Sequence, residues 1–105
     1  MPEKTKKYSV FIHEPATEML IEHVRFLAHA NEAAVRRLVS ALKIKAKALE
    51  AMPERCHWLY HPLIQEHKYR KLTFETHYML IFQITGESVH VDAMVDCRQE
   101  YIWLL

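Results

Sequence analysis

The chain has 105 residues, half of them hydrophobic, and a formal net charge of +1. This length supports one hydrophobic core and is too short for two ordinary domains, so we expect a single domain over residues 1–105. The apolar runs are far below the ~20 residues of a membrane span, and MPEKTKKYSV lacks the apolar stretch of a signal peptide. A cytoplasmic protein without membrane contact is therefore expected.

The first half of the chain predicts one strand followed by two helices. Residues 7–13 alternate and are rich in β-formers, which indicates a strand. Apolar residues then recur at helical spacing over residues 15–29, with Pro15 suited to the first turn. Asn31 can cap a second helix that Pro53 stops. The short connection predicts that the two helices form an antiparallel hairpin.

The second half predicts a loop and three strands. Residues 53–66 show no clean period, and strand patterns follow at 67–75, 77–84 and 88–97. Short connections predict an antiparallel meander. The order strand, helix, helix, three strands predicts an α+β fold in which the helical hairpin packs on one face of the sheet.

Strict alternation assigns the side chains of the last two strands to opposite faces. It predicts one inward set in the last strand, Val89, Val91, Ala93, Val95 and Cys97, and an outward set that cannot be core, Ser88, His90, Asp92, Met94, Asp96 and Arg98. In the middle strand it predicts a core set, Tyr78, Leu80, Phe82 and Ile84, and an outward set, His77, Met79, Ile81 and Gln83. The outward face becomes the candidate site because it carries Tyr69, Lys71, Gln83, Asp92 and Arg98.

The positive charge is concentrated on the second predicted helix. Residues 31–52 carry five basic and two acidic side chains, whereas residues 53–105 carry five basic and seven acidic ones. Helical spacing places Arg36, Lys43 and Lys47 on one face, with Arg37 and Lys45 flanking it. Such a face is either solvated surface or a sequence-independent grip on RNA phosphates, and the pattern leaves both open.

The cysteines and histidines indicate neither a disulfide framework nor a metal centre. Cys56 and Cys97 form a single possible pair without a secretory signal, which favours buried, inert thiols. The eight histidines include His57, His61 and His67 in or beside the loop, but no compact ligand pattern. We therefore predict no metal and no cofactor.

Several segments together resemble the RelE/ParE superfamily of bacterial type II toxins. They are an opening strand followed by PATEML, then the strands KYRKL and HYMLIFQI, and the ending VDCRQEYIWLL. The resemblance covers Tyr8 to Leu105. It implies a cytoplasmic toxin that a cognate antitoxin holds inactive by covering its surface. RelE-like members cut messenger RNA in the ribosomal A site, whereas ParE-like members inhibit DNA gyrase.

The resemblance also implies candidate residues for metal-independent RNA cleavage. Lys71 matches a sheet lysine of RelE-like toxins, Arg98 matches the arginine just past the last strand, and Tyr101 is near the position of a C-terminal tyrosine. Met79 departs from the pattern, since many members have arginine after the tyrosine of this strand. Because some ribonuclease members use histidines instead, His77 and His90 are possible substitutes.

The residues and the resemblance together predict a ribosome-dependent endoribonuclease as the first function. A ParE-like gyrase inhibitor and a degenerate, non-toxic antitoxin-binding module are the alternatives. The predicted partners are an antitoxin with either the ribosome and mRNA or gyrase.

Overall fold

A computed structural model describes residues 7–97, and these contain four strands and two long helices. Strand β1 spans Ser9–Ile12, helix α1 Glu14–Ala30 and helix α2 Glu32–Ala48. A short 3₁₀ turn at Pro53–Arg55 opens the loop that leads to β2 at Arg70–Phe74. Strands β3 and β4 span Tyr78–Thr85 and Ser88–Asp96. The predicted element order is confirmed.

Asn31 joins the two helices and ends one while it begins the other. Its backbone N–H donates to Leu27 O of α1, and its side-chain oxygen accepts from Ala33 N at 2.9 Å and Ala34 N at 3.3 Å. Extended backbone at this single residue turns the chain between α1 and α2. The predicted helical hairpin and its cap are confirmed.

The sheet has the order β1-β4-β3-β2, so β1 and β2 are its edges. Strands β2, β3 and β4 form the predicted antiparallel meander. β1 pairs in parallel with the first half of β4, from Ser9 opposite Ser88 to Ile12 opposite Val91. The hairpin packs on one sheet face, where Leu38 and Leu42 of α2 meet Leu80 and Phe82 of β3.

A β-bulge in β4 overturns the predicted assignment of its side chains to faces. Ile81 lies opposite Ala93 and Phe82 opposite Val91, which leaves Asp92 as the extra residue. An inserted residue reverses the alternation beyond it. Val89 and Val91 therefore face the helices, as does Met94 past the bulge, whereas Ala93 and Val95 belong to the opposite face. Met94 and Asp96, which alternation placed outside the core, are buried.

A second hydrophobic cluster covers much of the outward sheet face. Met79 and Ile81 pack there with Ala93 and Val95 under the loop residues Leu59, Ile64 and Tyr69. Met79, Ile81 and Tyr69 were predicted to lie on the outward face with the candidate site. They lie on that face, but the prediction that they are accessible is wrong, because all three are buried. The loop between α2 and β2 acts as a second layer, because Leu59 N donates to Tyr69 O and Lys71 N to His57 O. Only part of the outward face remains accessible.

Candidate functional site

Lys71 lines a concave pocket at the edge of the sheet, which we call the β2-edge pocket. The end of α2, the 3₁₀ turn and β2 form its walls, and its volume is about 320 Å³. Its lining is Ala48, Leu49, Ala51, Met52, Pro53, Arg55, Cys56, His57, Lys71, Leu72 and Thr73. The basic side chains in this lining are Arg55, His57 and Lys71, and among the residues that the structure describes no carboxylate lines the pocket with them. We call the apolar residues of this lining the floor and Arg55, His57 and Lys71 the rim, whose formal positive charges are those of Arg55 and Lys71.

Arg70 holds the loop that carries Arg55 and His57 against β2. Its guanidinium donates to Cys56 O at 2.9 Å and to Glu54 O at 3.1 Å. The same group stacks on the Trp58 ring, 3.9 Å from the ring centre. A planar guanidinium can stack flat on an aromatic ring while its in-plane N–H groups donate to carbonyls, whereas an ammonium has no plane that can stack. Arg70 is thus a positioning residue for the pocket rim.

Cys56 forms part of the pocket floor and is half-buried. Burial raises the pKa of its thiol, although the nearby charges of Arg70, Arg55 and Lys45 act in the opposite direction. At neutral pH the thiol is therefore protonated and weakly nucleophilic. Cys97 is exposed, and its pKa is also raised, first by desolvation and then by the charge of Asp96.

His77 lies in a different place, in a groove between α1 and the start of β3. Its carbonyl accepts from Cys97 N at 2.6 Å, and its ring packs on Tyr78 with 4.5 Å between ring centres. His23 of α1 also contacts the Tyr78 ring, edge-on with 5.2 Å between ring centres. The groove, of about 630 Å³, is lined by Glu22, His23, Phe26, Leu27, His77, Tyr78 and Asp96.

His90 is held by a partner that the sequence did not indicate. Its Nδ1 lies 2.8 Å from Nε2 of His13, the residue before α1, and the two rings stack. Phe11 of β1 stacks on the same imidazole with 5.6 Å between centres. The parallel pairing of β1 with β4 creates this contact across 77 residues of sequence. His90 therefore links β4, an inner strand of the sheet, to the residue that precedes α1.

The structure does not bring the described catalytic candidates together. His77 precedes the Tyr78–Asp96 pair, whereas His90 lies opposite Gln83, six residues further along β3. At ~3.3 Å per residue these histidines are roughly 20 Å apart. Lys71 lies opposite Ile81, between these two positions but in the edge strand. Arg98 and Tyr101, the other two candidates, lie outside the described residues, and their roles stay predictions.

The basic face of α2 is exposed as predicted, except at one residue. Arg36, Arg37, Lys43 and Lys47 are exposed, while Lys45 is half-buried on the side of the helix towards Cys56 and does not flank the stripe. Arg36 pairs with Glu32 at 2.8 Å, and Lys47 lies 4.0 Å from Glu50. Part of the positive charge is thus neutralised locally.

The sequence indicated Lys71 but missed Arg55 and His57, which share its pocket. Nothing in their spacing marks them, because only the pairing of the loop with β2 brings them beside Lys71. Within residues 7–97, no three His, Cys, Asp or Glu side chains are arranged to hold a metal ion. In the same range, neither helix has the length and apolar character required to cross a bilayer.

Comparison with known protein families identifies the family of this chain. The sequence profile described as "ParE toxin of type II toxin-antitoxin system, parDE" matches residues 10–101. The chain belongs to the ParE toxin family. Its fold matches that of a chain from the "Chromosomal ParDE TA system from P. aeruginosa", with a TM-score of 0.67 and 13% identity over 88% of this chain and 98% of the other. No curated protein matches the sequence significantly.

Membership in the ParE toxin family makes this chain the toxin component of a type II toxin–antitoxin system. Such a system implies an antitoxin partner. The two helices on a four-stranded mixed sheet are the ParE/RelE-like architecture, as the resemblance predicted.

Proposed function

We propose that this chain inhibits DNA gyrase in the cytoplasm and that a cognate antitoxin neutralises it. The observation that carries the proposal is the ParE family match over residues 10–101. The resemblance described above implies that ParE-like members inhibit DNA gyrase. Gyrase inhibition was an alternative in the sequence analysis, and it is now placed before ribosome-dependent RNA cleavage. Inhibition by binding requires a surface and does not require a catalytic constellation.

The placement of the described candidate residues supports this order. Cleavage of RNA without a metal requires a base, a cation and an acid within hydrogen-bond reach of one phosphodiester. Lys71, His77 and His90 lie at three separate places, and His90 is already bonded to His13. At the position where many RelE-like toxins have arginine, the Met79 side chain is 4% exposed and belongs to the second cluster.

Ribosome-dependent cleavage of messenger RNA is the second candidate, and the basic face of α2 favours it. Within residues 7–97, Arg37 and Lys43 form no ion pair, so their charges are available for RNA phosphates. In this case Arg98 would supply the cation for the transition state, and Tyr101 would stack on a base or act in proton transfer, as the resemblance implies.

Two assays and a measurement of cell growth during toxin expression separate the candidate functions. Purified toxin is added to a gyrase supercoiling assay, and RNA ends are sequenced after a brief pulse of toxin expression. We expect loss of supercoiling without new cuts inside translated codons. Cuts in translated codons with intact supercoiling would contradict the proposal and support the ribonuclease. Unaffected growth, with neither effect, would support a degenerate antitoxin-binding module.

Two substitutions sharpen this comparison. Arg98→Ala should slow RNA cleavage by about a hundredfold or more if Arg98 stabilises the transition state. His90→Gln keeps a hydrogen-bonding side chain beside His13 and should leave either activity unchanged, because His90 is engaged away from Lys71. Thermal melting of both variants distinguishes lost activity from lost folding.

A further inference from the structure

Among the described residues, the lining of the β2-edge pocket combines apolar side chains with positive charges and no negative ones. Carbon-rich side chains such as Leu49, Pro53 and Leu72 form the floor, and Arg55, His57 and Lys71 form the rim. Within residues 7–97, neither Arg55 nor Lys71 forms an ion pair. Lys45 and Arg70 add further positive charge close to Cys56. A ligand that fits must bury an apolar group and present negative charge beside it.

The backbone of β2 adds a second, independent feature at the pocket edge. Lys71 N donates to His57 O at 2.9 Å, on the side of β2 opposite to β3. Its N–H therefore points away from β3, at the open edge of the sheet. In an antiparallel strand, residues two apart direct their N–H groups the same way. Thr73, which lines the pocket, therefore directs its N–H and C=O outward, and within residues 7–97 neither has a backbone partner beyond the sheet. An extended peptide has the donors and acceptors that match this edge.

We propose that the β2-edge pocket receives an extended segment of the antitoxin in which an apolar side chain is flanked by Asp or Glu. This inference rests on the proposed toxin–antitoxin partnership. It names the part of the toxin surface that recognises the antitoxin. The apolar side chain occupies the floor, the carboxylates meet Arg55 and Lys71, and the peptide backbone bonds to Thr73. A volume of about 320 Å³ suits one large side chain.

A peptide fits these features better than RNA does. Phosphates would satisfy the rim, but a sugar–phosphate chain has no group that repeats the backbone pairing offered by Thr73. The exposed cations of α2 are a separate surface, since Arg37 and Lys43 lie outside the pocket lining. The two basic regions can therefore be tested independently.

Cys56 allows occupancy of the pocket to be measured directly. In a Cys97→Ser background it is the only thiol, because the chain has two cysteines. The toxin, alone and in complex with the antitoxin encoded beside it, is treated with iodoacetamide, and alkylation is followed by mass spectrometry. We expect alkylation of Cys56 to slow at least tenfold in the complex. Equal rates in the free and bound toxin would overturn the proposal.

Binding measurements with matched variants test the rim and the floor separately. Arg55→Glu reverses one rim charge, and Ala48→Trp fills the mouth of the pocket from the end of α2. Each should weaken antitoxin binding roughly tenfold. Lys43→Glu and Ala33→Trp make the same chemical changes at exposed α2 positions outside the pocket and should bind like the wild type. Wild-type affinity in both pocket variants would overturn the proposal, provided that circular dichroism shows them folded.

Two further outcomes separate this inference from the proposed function. A ten-nucleotide RNA that protects Cys56 when the antitoxin does not would assign the pocket to nucleic acid and overturn the inference. Protection by the antitoxin in a toxin that leaves gyrase supercoiling intact would support the pocket while contradicting gyrase inhibition. The binding and supercoiling assays therefore succeed or fail independently.

Discussion

Ile81 provides a test of the second hydrophobic cluster, because alternation alone would place this residue on an accessible face. In the structure it is 0% exposed and packs with Leu59, Ile64 and Tyr69 from the loop. Ile81→Ala removes three buried carbon groups, and at ~0.8 kcal/mol per methylene their lost burial costs roughly 2 kcal/mol of stability. The cavity that remains destabilises the protein further. We expect a loss of about 3 kcal/mol in the free energy of unfolding.

The control is the same substitution at an exposed site. Ile44 of α2 is 64% exposed, so Ile44→Ala should change stability by less than about 0.5 kcal/mol. Urea unfolding followed by circular dichroism measures both variants, and in a separate thermal melt the melting temperature of Ile81→Ala should fall by roughly 12–24 °C. A loss below about 1 kcal/mol for Ile81→Ala, or a loss equal to that of Ile44→Ala, would refute the loop as a second core layer.

Three further substitutions or treatments test local features. Arg70→Ala should cost roughly 2 kcal/mol in urea unfolding, because it removes two charged hydrogen bonds and the stacking on Trp58, and Arg70→Lys should recover little of this. Asn31→Ala should cost about 1 kcal/mol through loss of the α2 cap, whereas Asn31→Ser should be nearly neutral. Because the pKa of both thiols is raised, iodoacetamide labelling of the free toxin should be slow at pH 7 and accelerate as the pH rises past 9, with exposed Cys97 reacting before Cys56. Labelling of Cys56 at pH 7 as fast as free cysteine would contradict the stated cause, its burial.

The elements of this chain could be predicted because each depends on local signals. The helices follow from their apolar spacing and from signals close to their ends, namely the cap at Asn31 and the stop at Pro53. The three strands of the meander likewise follow from alternation and short turns. The basic face of α2 needed only the helical repeat, although Lys45 proved to lie apart from it.

The candidate site could be predicted only in part. Lys71 was identified, but its neighbours Arg55 and His57 come from a loop without any periodicity. His90 was identified as a catalytic substitute, yet His13 binds it through a parallel pairing between the first and last strands. Contacts between residues this far apart in sequence depend on strand order, which no local pattern encodes.

The sequence by itself determined the α+β class, the order of elements, the helical hairpin and the membership in a toxin superfamily, since these rest on periodicity, turn residues and ordered motifs. Only the tertiary structure decided which side of the sheet each residue of β4 faces. One extra residue at Asp92 reverses the alternation, so Met94 joins the helices and Ala93 the second cluster. A strand with apolar residues on both faces carries no sequence signal for such a bulge, because either register buries hydrophobic side chains.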